Sequence, residues 1–213
     1  MARSLLSLLA CTAMVVGLTA CGGETSTTRI GTVADLYNNG LTAIEGGEYF
    51  EAITNFNELE RQHPYSGWAT RAHMMSAYAQ YLNEDLDDAI ASTERFIRLH
   101  PGHQDLPYMY YLRAMSFYTR ISDVKRDQGF TRQALESFEE IERRFPTTTY
   151  ARDAKFKATL CRDHLAGKEM DVARWYLGQK RYLAAINRFR TVVDTYETSS
   201  HTPEALYRLT EAY

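Results

Sequence analysis

The sequence predicts an all-α chain of stacked helix–turn–helix units, and three observations predict it. An amphipathic helical register recurs four times. A small residue holds the same place in each copy. A proline closes three of the four. The clearest copy is 47–64, GEYFEAITNFNELERQHP, where Tyr49, Ala52, Ile53, Phe56 and Leu59 recur at three- and four-residue steps. Such spacing puts them on one helix face. Gly47 stands before that helix and Pro64 after it, where proline stops the helix for want of an N–H. The register returns at Leu86, Ala89, Ile90, Phe96 and Pro101, and again at Ala134, Leu135, Phe138, Ile141 and Pro146. It returns a last time at Tyr182, Ala185, Ile186 and Phe189, with Glu197 in place of the proline.

A partner helix precedes each copy. Gly40, Ala77 and Ala173 each lie twelve residues before Ala52, Ala89 and Ala185, while Ala114 lies twenty before Ala134. The third unit therefore carries an insertion. Small residues at fixed separation let two helices approach closely, and the proline turns the chain back. The pattern resembles the tetratricopeptide repeat, a helix–turn–helix unit of about 34 residues. It implies a superhelix of about five repeats with the last one incomplete.

Residues 1–20 read as a targeting segment. Arg3 supplies a positive start, and the apolar run from Leu5 to Leu18 is short and rich in small residues, as in a signal peptide rather than a membrane span. It ends Leu18-Thr19-Ala20-Cys21. Small residues before a cysteine at this distance resemble the lipobox of bacterial lipoproteins. That resemblance implies cleavage before Cys21, a diacylglycerol on its sulfur and an acyl chain on its amine. Gly22, in place of the Asp that favours inner-membrane retention in enteric lipoproteins, implies the outer membrane. Residues 21–32 are rich in Gly, Ser and Thr and read as a tether. Of three cysteines, Cys11 falls in the signal and Cys21 at its end, so Cys161 is left without a disulfide partner and reads as a small buried residue.

Residues 33–213 read as the repeat domain. All five prolines fall at helix boundaries. The polar stretch Ile121 to Gly129, ISDVKRDQG, is the insertion of the third repeat. Tyr150 to Gly178 reads equally as one long helix or as two broken near Gly167. Thr202-Pro203-Glu204 opens a helix, with Pro in its first turn, striped by Ala205, Leu206, Leu209 and Ala212. It is the first helix of a fifth repeat, with its partner to come from further chain or another subunit. The formal net charge is −3, which argues against a nucleic-acid binder.

Local matches point further than the repeat. Tyr49-x-x-Ala52 through His63-Pro64-Tyr65, Arg95-Phe96-Ile97-Arg98-Leu99-His100-Pro101, and Ala173 through Arg188 (ARWYLGQKRYLAAINR), together with the lipobox, resemble the BamD (ComL) family of outer-membrane β-barrel assembly lipoproteins. The resemblance covers about residues 21–213. It implies a non-catalytic scaffold without cofactors, lipid-anchored on the periplasmic face of the outer membrane. Implied partners are the barrel-forming insertase subunit through its POTRA domain, smaller assembly lipoproteins, and C-terminal segments of unfolded outer-membrane proteins. An alternative is another lipid-anchored periplasmic scaffold, for instance one organising cell-wall enzymes.

In tetratricopeptide stacks the first helix of each pair lines the concave side. Groove positions lie three before, and one and four after, the small packing residue. Counting from Gly40, Ala77 and Ala114 gives Tyr37, Leu41, Ile44, Met74, Tyr78, Tyr81, Tyr111, Met115 and Tyr118. Tyr offers a flat apolar face with a hydroxyl, and Met adapts its shape. The set reads as a peptide-binding groove whose principal residues are Tyr37, Met74, Tyr78, Tyr81, Tyr111, Met115 and Tyr118, although aromatic stripes on helices also serve as core.

Catalytic patterns are missing. His100 and His103 make an HxxH without the third ligand and glutamate base of a catalytic zinc helix, and they read as part of a solvated loop. No nucleophile elbow, P-loop or dinucleotide fingerprint occurs. Runs such as Glu139-Glu140-x-Glu142-Arg143-Arg144 read as an exposed, ion-paired helix face.

Overall fold

The computed structural model describes residues 31–213, so the signal segment, Cys21 and most of the tether lie outside the described residues. Nine α-helices fill the described chain: α1 Val33–Glu45, α2 Tyr49–Gln62, α3 Gly67–Leu82, α4 Leu86–Leu99, α5 Leu106–Thr119, α6 Gly129–Arg144, α7 Thr149–Gly178, α8 Tyr182–Thr195 and α9 Thr202–Ala212. Each packs mainly on its neighbours in sequence, as a solenoid of helix pairs does. The first helices of successive pairs also meet: α1 touches α3, α3 touches α5, and α5 touches α7. These odd-numbered helices form one continuous face.

Local chemistry sets the helix ends. Thr32 and Asp35 form a reciprocal capping box at the start of α1, and Ser66 and Thr148 cap α3 and α7. These side-chain oxygens satisfy N–H groups that have no partner within the helix. Pro107 and Pro203 occupy the first turns of α5 and α9, where a missing N–H costs nothing. The tight turns into α2, α4 and α8 repeat one device: a positive φ at Gly47 (77°), Glu84 (63°) and Lys180 (59°), each two residues before its helix. Two of the three are not glycine, so the tertiary fold imposes this conformation.

The core repeats with the helices. Phe56, Phe96, Phe138 and Phe189 are each 0 % exposed, one from each of α2, α4, α6 and α8. Burying such a side chain contributes about 1.5–3 kcal/mol. The small residues make room. Ala52, Ala89, Ala134 and Ala185 are all fully buried, as are their partners Ala77, Ala114 and Ala173. Gly40 is buried too, and a Cβ there would stand 2.6 Å from the Phe56 ring. Ala52→Leu is expected to overpack the first hairpin and cost about 1–3 kcal/mol, read as a lower urea midpoint with an unchanged slope.

The long stretch after Pro146 is one helix. Gly167 does not break α7; it is buried, and a Cβ would lie 3.0 Å from His201 Nε2 and 3.6 Å from Val124 Cγ1. Glycine serves here to let the α8–α9 loop and the insertion close onto the helix. The first half of α7 packs on α6, and the second half belongs to a separate core cluster of Ala166, Met170, Ala173, Ala185, Phe189, Val192 and Ala205. Ion pairs tie neighbouring helices together, Arg113–Glu140, Arg162–Glu139 and Arg188–Glu169 between successive helices and Glu60–Arg95 and Arg174–Glu204 between alternate ones, α2 to α4 and α7 to α9. The exposed pairs among them are worth about 0–1 kcal/mol each and fix register more than stability.

Candidate peptide-binding groove

The odd-numbered helices bring most of the counted groove residues onto their shared face. Met74, Tyr78, Tyr81, Tyr111, Met115 and Tyr118 are all half-buried and pack on the large central core. Tyr37, Leu41 and Ile44 pack on the first core cluster instead. Tyr37 sits edge-on to Phe56, centroids 5.7 Å apart, and to Trp68 at 4.9 Å. The seven residues therefore fall in two patches, Tyr37 beside Trp68 on α1 and α3, and a larger tyrosine field on α3 and α5 that α7 extends.

That field contains residues that counting from the small positions missed. Tyr150, at the start of α7, lies 5.9 Å from Tyr108 and 5.3 Å from Tyr111 between ring centroids. Tyr111 Oη donates to Asp153 Oδ2 at 2.5 Å. Lys157 Nζ sits 3.8 Å from that same oxygen and 5.1 Å from the centre of the Tyr118 ring. Arg71 covers the open face of Trp68 at 5.5 Å. Tyr108 is one helical turn before Tyr111, so its position was readable from the helical step; Tyr150, Asp153 and Lys157 depended on knowing that α7 pairs with α5.

Burial keeps three of the tyrosine hydroxyls neutral and hydrogen-bonding. Burial, with neighbouring tyrosines, raises the Tyr108 hydroxyl well above the usual phenol range. Burial and the Asp153 bond do the same for Tyr111, and burial raises Tyr118. All three remain O–H donors at physiological pH. The field offers flat rings to apolar side chains and a few hydroxyls to a backbone. It holds no activated nucleophile.

The other candidate chemistry resolves into packing. Cys161 is 1 % exposed, and burial pushes its thiol up to about 11, so it stays a protonated, inert side chain. His100 and His103 are not a solvated loop: their rings lie 4.9 and 5.4 Å from Phe96 and are half-buried against it. Asp105 N–H donates to His103 Nδ1 at 3.2 Å, which fixes that nitrogen as an acceptor. No group of three or more metal-ligating side chains occurs among the described residues. A polar cleft of about 540 Å³ between α2, α3 and α4 includes Arg61 and Arg95, both already engaged by Glu58 and Glu60.

Stacked helix hairpins with an aromatic face shared by the odd-numbered helices define a helical-repeat protein. Its sequence relatives are specific. Residues 30–213 match the family YfiO, described as outer membrane lipoprotein, and the chain belongs to that family. An outer membrane protein assembly factor BamD from Caulobacter vibrioides is 46 % identical over 178 residues, 84 % of this chain and 58 % of that one. The protein of the same name from Rickettsia prowazekii is 41 % identical over 203 residues, 94 % of this chain and 81 % of that one. The Neisseria gonorrhoeae protein of that name is 34 % identical, covering 85 % and 72 %. The chain thus spans little more than half the length of the Caulobacter relative. A solved tetratricopeptide protein of Thermus thermophilus, 16 % identical over 84 % of this chain and 98 % of that one, superposes at a TM-score of 0.45, too loosely to add to the fold described above.

Proposed function

We propose that this chain is a non-catalytic assembly factor of the outer membrane, anchored by lipid on Cys21 and facing the periplasm. It holds unfolded outer-membrane proteins beside a barrel-forming insertase subunit, which docks through a POTRA domain on the later repeats, alongside smaller assembly lipoproteins. The observation that carries this reading, beyond family membership, is the tyrosine field on α3, α5 and α7. Half-buried rings with neutral hydroxyls suit an extended segment that alternates apolar and polar residues and ends in an aromatic. Ordering such a segment costs free energy, so binding is expected to be micromolar or weaker. Weak binding suits a relay.

Tyr78→Ala with Tyr81→Ala tests the groove. Both side chains are partly exposed, and Tyr81 Oη shares a hydrogen bond of 3.3 Å with Thr119 Oγ1 on α5. Fluorescence anisotropy with a labelled peptide ending in Phe is expected to show about a tenfold or greater loss of affinity, with helical content unchanged. Binding as tight as the parent would make these tyrosines packing residues only. Affinity isolation from detergent extracts separates this reading from a cell-wall scaffold, since only the assembly factor should recover a β-barrel protein with POTRA domains.

A further inference from the structure

The chain enters the helical stack at Thr32, which caps α1. Successive helices run in opposite directions, so the starts of α1, α3 and α5 share one end of the stack with the finishes of α2 and α4. Three large apolar side chains stand open at that end. Tyr65, in the α2–α3 loop, is 101 % exposed; Leu99, at the finish of α4, is 58 % exposed; Trp68, in the first turn of α3, is 42 % exposed. We propose that this rim of the first two hairpins rests on the bilayer surface, with Tyr65, Trp68 and Leu99 seated at the level of the lipid headgroups. The inference rests on the proposed lipid anchor at Cys21 and adds which face of the repeat domain meets the membrane.

Contacts join the three side chains to one another and to the point where the tether arrives. Tyr37, in the second turn of α1, sits edge-on to Trp68. Pro64, beside Tyr65, lines a cavity of about 250 Å³ together with Leu99. Eleven residues separate Cys21 from Thr32, which is at most about 40 Å of chain. A helix of fourteen residues such as α2 is about 21 Å long, so the opposite end of the stack begins that much farther from the anchor. The corresponding segments of the later hairpins, 145–148 and 196–201, carry no exposed large apolar residue. A surface intrinsic to the repeat would recur with it. This one is confined to the hairpins nearest the tether, and exposed apolar side chains grouped in this way mark a contact surface.

The chemistry suits a headgroup region. Tyr and Trp carry an apolar ring with a polar tip, and such side chains collect where hydrocarbon meets water. The Arg71 guanidinium over the Trp68 ring brings a cation to the level of the lipid phosphates. Arg61 and Arg98 are exposed at the same end, but Glu58 and Glu94 pair with them at 2.6 and 3.9 Å. Attraction to anionic lipid is therefore modest, and the apolar side chains carry the contact. Three such side chains hold a surface weakly by themselves, and the anchor supplies the high local concentration that makes the contact form. The contact orients the repeat domain and leaves the anchoring to the acyl chains.

Quenching by brominated lipid tests the proposal. The acylated chain would be purified from membranes and reconstituted in vesicles of phosphatidylethanolamine and phosphatidylglycerol, with and without bromine near the headgroup end of the acyl chains. Trp68 and Trp175 are the two tryptophans, and Trp175 lies near the finish of α7, at the opposite end of the stack. In the Trp175→Phe variant, brominated lipid is expected to lower Trp68 emission at least about twofold. In Trp68→Phe, the emission of Trp175 should be unchanged. Tyr65→Ser with Leu99→Ser should remove most of the Trp68 quenching. Phe50 is exposed at the opposite end, at the start of α2, and Phe50→Ser should leave the quenching intact, with circular dichroism confirming that each variant folds. Vesicle-bound chain whose Trp68 is not quenched, or whose two tryptophans are quenched alike, would overturn the proposal and leave the anchor standing. Chain that does not float with the vesicles would remove the anchor and this proposal together. A photoreactive phenylalanine at position 65 that crosslinks in cells to protein and not to lipid would likewise overturn it.

Discussion

Phe138→Ala is expected to cost about 3–5 kcal/mol, the range for emptying a buried aromatic site. Phe138 is fully buried in the largest core cluster. Its ring stands 5.7 Å from Tyr118 and 6.5 Å from Tyr111, so it backs the tyrosine field from beneath. A domain of ordinary stability has about 5–15 kcal/mol in total, and a solenoid draws that from contacts between neighbours. The loss is therefore expected to melt the third hairpin before the rest and to broaden the urea transition. Peptide affinity should fall as well, because Tyr111 and Tyr118 lose their support. Phe138→Leu, which keeps most of the volume, should recover most of the stability. A cost below about 1 kcal/mol for the alanine variant would mean that this ring does not fill the core as described.

The repeat was legible because its signal is local. Ala52 and Phe56 face one helix, and the Gly40 that accommodates the Phe56 ring lies a fixed distance upstream. Spacing alone therefore carries the hairpin, and it also located the insertion within a residue. What was not legible depends on contacts far apart in sequence. Gly167 reads as a break until His201 and Val124, from two distant loops, are found resting on it. His100 and His103 read as solvated until Phe96 is seen between them and the core. On the shared face of the odd-numbered helices, the rule of three positions per helix picks out Tyr78, Tyr81, Tyr111 and Tyr118. It missed Tyr108 on α5, Trp68 on α3, and Tyr150, Asp153 and Lys157 on α7. The α7 residues matter because of the helix they face, and sequence spacing within one helix does not report its neighbour.

Cys21→Ser is expected to have the largest effect in the cell: loss of the acylated form. Cys21 lies outside the described residues, and the expectation rests on the lipobox-like Leu18-Thr19-Ala20-Cys21 and on membership of a lipoprotein family. No helix among the described residues is long and apolar enough to cross a membrane; the proposed attachment is the lipid on Cys21. One acyl chain binds a bilayer only marginally, and stable anchoring takes two signals; a diacylglycerol with an N-acyl chain exceeds that. A serine hydroxyl lacks the thiol chemistry that takes up the diacylglycerol. Radiolabelled palmitate should then label the parent and not the variant. The variant should accumulate as uncleaved precursor or as soluble protein in the periplasm. The fold should be untouched, because α1 begins at Val33 behind its own Thr32 cap, so purified variant and parent should melt alike. Palmitate incorporation and outer-membrane fractionation equal to the parent would sink the proposed anchor.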